Sequence, residues 1–320
     1  MKKLISLATA VSVVISLDAF AGNNTAILIQ VGSNNSANAD QADPTTHNNL
    51  ITQTQIGVSN DSDVSQTIGT NNSTVNHTQV GELNSSESLQ QDNSFFSLSS
   101  ISQQGQGNIG FSLQTDTTLG SIFVNQLGST NFSTNGQFES LDTRSFTNQV
   151  GLMNAAQTVQ TLSVGSSHVI NQFGSMNISV SQQLEASAGS TFSNQIGSDN
   201  FSSIFQGGGV GASALSSQIG LGNDVIIGQS LTSLSSAVAN QIGVMNGAEV
   251  LQQNTTASTA VINQTGFVNF AEISQMGATL STAITSQIGS NNSYLTTQTG
   301  VGQTAIVVQI GSLNMGSTMQ

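Results

Sequence analysis

The sequence predicts an all-β fold: a β-solenoid of about thirteen strand–turn–strand repeats, with a period of 22–25 residues and two facing parallel sheets. Three observations predict it. The motif Gln-x-Gly-x-x-Asn occurs thirteen times, and each copy is followed by a further Gln six residues after its Asn. From Gly105 the motif glycine recurs at Gly128, Gly151, Gly174, Gly197, Gly220, Gly243, Gly266 and Gly289, every step being 23 residues. Finally, eight alternating slots around each motif, 104 positions in all, hold no Asp, Glu, Lys or Arg. A strict period of this length describes one supersecondary unit stacked on copies of itself, each too small to bury its own apolar face.

Within a repeat, residues 235–252 (SSAVANQIGVMNGAEVLQ) read as strand, tight turn, strand. The first part is rich in small and β-branched residues, residues 243–246 supply types that accept positive φ, and the second part resumes alternation. A looser turn then leads to the next repeat. Helix competes poorly, because Asn, Ser, Thr and Gly pervade the chain and the apolar residues keep no 3.6-residue period. A unit of 23 residues accommodates two strands of about seven residues and two turns.

The charge-free slots assign the inward face. On the first arm they are the motif Gln and the residues two, four and six before it; on the second, the Asn and the residues two, four and six after it. A buried unpaired charge is costly, so this parity points inward. Seven acids, Asp40, Asp61, Asp63, Glu87, Asp224, Glu249 and Glu272, fall on the opposite parity of the second arm. The same assignment turns outward an apolar series that includes Ile196, Ile219, Ile242 and Ile288, one residue after the motif Gln. The resulting outer stripe is a candidate surface for side-by-side association.

In-register stacking would place Gln on Gln and Asn on Asn about 4.8 Å apart, each carboxamide donating to one neighbour and accepting from the other. The internal ladder is Gln126, Asn131 and Gln137, then Gln149, Asn154 and Gln160, then Gln172, Asn177 and Gln183, then Gln195, Asn200 and Gln206. It continues through Gln218, Asn223 and Gln229, Gln241, Asn246 and Gln252, Gln264, Asn269 and Gln275, and Gln287, Asn292 and Gln298. Thirteen coils at this spacing make a rod of about 60 Å. Its terminal repeats, Gln30, Asn35 and Gln41 at one end and Gln309, Asn314 and Gln320 at the other, carry no polar cap and are expected to form the polymerisation interface.

Composition narrows the function further. Charged residues are 6% of the chain, against about 25% in ordinary soluble proteins. There is no Cys, hence no disulfide and no thiolate metal site. Lys2 and Lys3, the apolar run over residues 4–17 and Ala19-Phe20-Ala21 read as a secretory signal peptide, residues 1–21, cleaved before Gly22; residues 22–320 then form a single solenoid domain. The apolar run is shorter than a spanning helix needs, and no later segment is apolar enough to be one. Removal of the leader takes Lys2, Lys3 and Asp18, leaving Arg144 as the one Lys or Arg. Such a chain has no basic patch with which to hold nucleic acid.

With the residues in view, the pattern Ser-x5-Gln-x-Gly-x2-Asn-x-Ala-x3-Gln resembles the curlin repeat of bacterial curli over roughly residues 24–320. Gln, Gly, Asn and Gln match in all thirteen copies; the leading Ser is present in part (Ser73, Ser97, Ser166, Ser235, Ser258, Ser281), and the Ala is often replaced, as by Ser133, Val225 or Tyr294. The resemblance implies a secreted functional amyloid of the cell-surface fibre (pilus-like) kind, for biofilm matrix and cell adhesion. It also implies a nucleator or major curlin partner, an outer-membrane secretion channel and periplasmic chaperones. The Gly-rich segment that precedes the repeats of the family's major subunit is missing here. TAILIQ at residues 25–30 and TAIVVQ at residues 304–309 are closer to the family's nucleator, whereas thirteen repeats favour bulk fibre.

Other classes fit less well. A polysaccharide-cleaving β-helix needs grouped carboxylates beside a basic residue, and here the acids are dispersed along a chain with one Arg, so no catalytic residues or cofactor are assigned. His47, His77 and His168 share no metal-ligand spacing; His77 and His168 occupy inward slots and are expected to be neutral at pH 7. Thr52, Thr115 and Thr296 do not recur at one slot, so an ice-binding threonine ladder is missing, as is the Gly-Gly-x-Gly-x-Asp repeat of a calcium-bound β-roll. Asn-x-Ser/Thr triplets follow from composition, and Gly207-Gly208-Gly209 lacks the Lys-Ser/Thr of a phosphate loop. A curli nucleator, or a non-polymerising secreted β-solenoid adhesin, is the alternative to a fibre subunit.

Overall fold

A computed structural model describes residues 12–18 and 22–320, with side chains from residue 22 onward. Lys2, Lys3 and Ala19-Phe20-Ala21, which carry the signal-peptide reading, lie outside the described residues. The described chain contains strands and turns and no helix. It forms two compact units, residues 1–162 and 163–320, and each is a β-solenoid of the same coil, giving about thirteen turns in all.

Every coil has two arms. In the first unit the first arms run from β2 (Asn24–Ser33) through β4 (Leu50–Val58) to β12 (Arg144–Leu152), and the second arms from β3 (Ser36–Asp40) through β5 (Asp61–Gln66) to β13 (Ala155–Thr161). In the second unit the first arms run from β14 (Ser167–Ser175) to β26 (Thr304–Ser312), and the second arms from β15 (Ile178–Leu184) to β27 (Met315–Met319). Like arms pair in parallel and in strict register: Gln30 lies beside Gln55 and Gly32 beside Gly57, as Gln195 lies beside Gln218 and Gly197 beside Gly220.

The charge-free slots are the buried ones. From Ser236 to Gln241 burial alternates residue by residue, with Ala237, Ala239 and Gln241 inside; along Gly247–Gln253, Ala248, Val250 and Gln252 are inside. No Asp, Glu or Arg is buried among the described residues. In the second unit the small core is built from Val225, Ile227, Ala237, Ala239, Val250, Ile262 and Ile273, residues narrow enough for two facing sheets. Ile196, Ile219, Ile242 and Ile288 do face out, at 41%, 42%, 51% and 47% exposure, so the apolar outer stripe exists.

Two local details differ from the sequence reading. First arms are nine residues long where seven were expected, because the strand continues through the motif glycine. The turn places positive φ at Gly243 (127°) and at Met245 (53°), while Asn246 is buried in its column. The left-handed residue is used for bonding: Met245 N–H donates to Leu221 O of the preceding coil at 2.9 Å, and Val268 N–H to Val244 O at 3.0 Å. That position tolerates many residue types because stacking over-determines its conformation. The looser turn is in register too, with bridges such as Ser233 beside Thr256 and Thr256 beside Thr279.

A stabilising substitution follows. Val268 is β-branched and sits at φ 54°, a conformation in which its Cβ crowds the backbone; the next coil has Asn291 there, at φ 53°. Val268→Asn is expected to raise stability by about 1 kcal/mol, read as a higher urea midpoint of the dilute subunit. An unchanged or lower midpoint would show that Val268 contributes more through packing than its backbone costs.

Candidate functional site

Chemistry in this molecule is concentrated in three amide columns. In the first unit Gln30 Nε2 donates to Gln55 Oε1 at 2.8 Å, and the chain of bonds continues through Gln79, Gln103, Gln126 and Gln149. In the second unit the same column runs from Gln172 through Gln195, Gln218, Gln241, Gln264 and Gln287 to Gln309. A second glutamine column links Gln41, Gln66, Gln90, Gln114, Gln137 and Gln160, and, in the other unit, Gln183, Gln206, Gln229, Gln252, Gln275, Gln298 and Gln320.

Many of these glutamine amides also reach across the core. Gln241 Nε2 donates to Asp224 O at 2.9 Å, and Gln252 Nε2 to Ser236 O at 3.2 Å. One N–H builds the column and the other ties one sheet to the facing one. Only a side chain with two donors and an acceptor on a long stem does both jobs. The sequence pattern exposes the column but not this cross-tie.

The asparagine column has the opposite sense. Asn246 donates from both its backbone N–H and its Nδ2 to Asn223 Oδ1, at 3.2 and 3.0 Å. Its Nδ2 also lies 3.2 Å from Gly266 O, in the following coil. The columns of Asn35, Asn60, Asn84, Asn108, Asn131 and Asn154, and of Asn177, Asn200, Asn223, Asn246, Asn269, Asn292 and Asn314, repeat this arrangement. Oδ1 thereby satisfies a backbone N–H left unpaired where the chain turns, which explains Asn over Gln at this slot.

The motif glycine lies between these columns. Its φ is 110–130° in all thirteen copies, and a Cβ on Gly197 would stand 2.0 Å from Gly220 O. A further column, one that the motif does not announce, runs along the looser turn: Thr70 Oγ1 shares its one hydrogen between Thr67 O and Gln90 O, 2.7 and 2.9 Å away, and Ser94 and Thr117 are placed alike. Its sequence signal is the Ser or Thr found at Thr46, Thr70, Ser94, Thr117, Ser140 and Ser163, broken later by Ala186 and Gly209.

At the terminal coils the columns stop with unmet capacity. Gln30 Oε1 is buried and has no hydrogen-bond partner. Gln309 Nε2 donates to Ser293 O at 3.2 Å and to no further glutamine. Asn314 and Gln320 are partly and fully exposed, and Ile310, Met315 and Met319 are 72%, 82% and 83% exposed. One edge departs from expectation: strand β1 (Ser12–Asp18) lies antiparallel along β2, so in the full chain the first-arm edge of the first coil is covered.

His77 is fully buried, with Nδ1 2.9 Å from both Ser62 Oγ and Ser86 Oγ and Nε2 2.7 Å from Ser88 Oγ. Burial pushes its pKa down to about 3, so it is neutral at pH 7. The unfolded chain takes up a proton near pH 6.5 that the folded chain refuses. Stability is therefore fully present above pH 6.5 and is expected to fall as pH drops from 6.5 toward about 3, by up to about 1.4 kcal/mol per pH unit. Urea midpoints measured between pH 7.5 and 4.5 check this, and His77→Gln, the residue at the same slot one coil earlier (Gln53), should remove most of the slope. Asp224 works the other way: burial and the nearby Glu249 carboxylate raise its pKa, a penalty present at neutral pH and relieved on acidification. Glu249 itself stands directly beside Glu272 in register. The raised pKa of Asp224 then leaves the variant a small residual slope of opposite sign.

Among the described residues no group of three or more His, Asp or Glu could hold a metal ion, and no helix is long and apolar enough to cross a membrane. No protein-family model matches the chain, and no curated protein gives a significant match.

Proposed function

We propose that this chain is an exported structural subunit of the curlin type, which assembles end to end into extracellular amyloid fibres for biofilm matrix and adhesion. The observation that supports it most is the identity of the step from coil to coil. Gln241 receives Gln218 and passes to Gln264 by the same bonds that successive coils use within each unit. A coil of a second molecule can supply that step as well as a coil of the same one, and the unmet Gln30 Oε1 and the exposed last coil mark where it would do so.

On this reading the molecule is not an enzyme and has no cofactor. Its main partner is itself, with a nucleator or major curlin, an outer-membrane channel and periplasmic chaperones as the partners the repeat resemblance brings. Nucleic acid is not among them, since Arg144 is the one Lys or Arg after the leader. The outward isoleucine column is a surface for side-by-side bundling of assembled chains.

Thioflavin fluorescence and fibre diffraction on residues 22–320 test the reading. Growth should be seedable, with reflections near ~4.8 Å along the fibre and ~10 Å across it. Material that stays dispersed for days at high concentration, with neither reflection, would reject fibre formation and leave a monomeric adhesin.

A further inference from the structure

Building on self-assembly as proposed above, we propose that the outer edge of β2 is the docking edge for strand β26 of a second copy, and that the chain's own leader strand β1 is a plug that occupies it until removed. Seven residue pairs, from Ser12 beside Gln30 to Asp18 beside Asn24, join β1 to β2 in antiparallel sense. The other strand pairings described within each unit are parallel, like on like. The plug therefore covers the edge without continuing its columns. Opposite Gln30 stands Ser12 in place of a glutamine, and Gln30 Oε1 remains buried with no partner. On its inner side β2 carries the parallel register on through Val31, Gly32 and Ser33, beside Ile56, Gly57 and Val58.

The last coil fits this edge better than the leader does. Glutamine columns run donor to acceptor toward the C-terminal end, as Gln287 Nε2 does to Gln309 Oε1. Gln309 then offers an N–H donor outward, and Gln30 offers the acceptor that lacks one. Asparagines run the other way: Asn314 Oδ1 accepts nothing among the described residues, and Asn35 N–H lacks the preceding Oδ1 that Asn60 N–H finds 3.0 Å away on Asn35. Last coil on first coil matches donor to acceptor in both columns. First coil on first coil sets acceptor against acceptor in the glutamine column.

Glycine geometry provides a test specific to the junction. A Cβ on Gly289 would lie 1.9 Å from Gly311 O, whereas one on Gly311 meets nothing nearer than Asn314 Nδ2 at 3.7 Å. The methyl of Gly311→Ala thus has room in a single chain and costs only the backbone strain of its φ of 110°. In the proposed junction Gly32 of the second copy takes the place that Gly311 has over Gly289, and the added methyl meets its carbonyl.

The experiment uses the full chain with a site-specific protease sequence in place of residues 19–21, and follows elongation of preformed seeds by thioflavin fluorescence before and after cleavage. Cleavage should speed elongation at least about tenfold. Cut Gly311→Ala should fail to elongate its own seeds yet, added in small proportion, should arrest growth of the unsubstituted chain, because it still docks through β2 and then presents a blocked end. Gly302→Ala, at φ 67° with nothing within 4 Å, should do neither. Equal rates before and after cleavage would overturn the plug. Unimpeded growth in the presence of Gly311→Ala whose urea midpoint matches that of Gly302→Ala would overturn the junction, as would normal elongation of its own seeds by the cut variant. Absence of any assembly in every sample would instead reject self-assembly itself.

Discussion

Gly197→Ala is expected to destabilise the subunit by more than about 3 kcal/mol, as is the same change at the other interior motif glycines. Two costs add. The backbone there has φ 120°, outside the range an L-residue adopts readily, and the new Cβ would lie 2.0 Å from Gly220 O and 2.9 Å from its carbon. Neither atom can retreat, because both belong to the hydrogen-bonded register of the neighbouring coil. Gly277 is the proper comparison. It also has positive φ, 62°, but a Cβ there meets nothing within 4 Å, so Gly277→Ala should cost only about 1 kcal/mol. Urea unfolding of dilute subunit separates the two; equal losses would mean that backbone strain alone, and not the close approach of coils, demands glycine in the motif.

Asn223→Ala should cost about 3 to 5 kcal/mol by the same measurement. The side chain receives Asn246 N–H and Nδ2 and donates to Asn200 Oδ1 and Gly243 O, all within a buried column. Alanine leaves Asn246 N–H and Gly243 O without these partners in a place water does not reach. Asn223→Asp keeps the acceptor but loses the donor, and sets a carboxylate against Asn200 Oδ1 and Gly243 O. It should be at least as damaging at pH 7 and recover in part on acidification, when the protonated carboxyl can donate once. A loss below about 1 kcal/mol for alanine would show that the asparagine column is ornament to a sheet held by backbone bonds alone.

These two positions also show how far residues could be read without coordinates. Asn223 and Gly197 declare themselves by recurrence, and their inward or turn placement follows from where acids are missing. Met245, Thr130 and Val268 give no such sign. They occupy left-handed positions that Gly222 and Asn291 fill elsewhere, and a methionine, a threonine and a valine are not turn formers. Their conformation is imposed by the coils on either side, through N–H bonds such as Met245 to Leu221 O. The same holds for the second donor of glutamines such as Gln241 and Gln264, whose carbonyl partner belongs to the opposite sheet.

By itself the sequence determined the repeat, the all-β class, the inward parity and the identity of the amide columns. Each is a one-dimensional property: a fixed step brings equal residues together, and the cost of burying charge sorts the two faces of a strand. Tertiary structure alone decided the opposed senses of the Gln and Asn columns, the cross-sheet ties, and the antiparallel placement of β1 on β2. Those depend on which way a carboxamide points and which edge a strand finds. Both are settled by hydrogen-bond partners that are distant along the chain and adjacent in space.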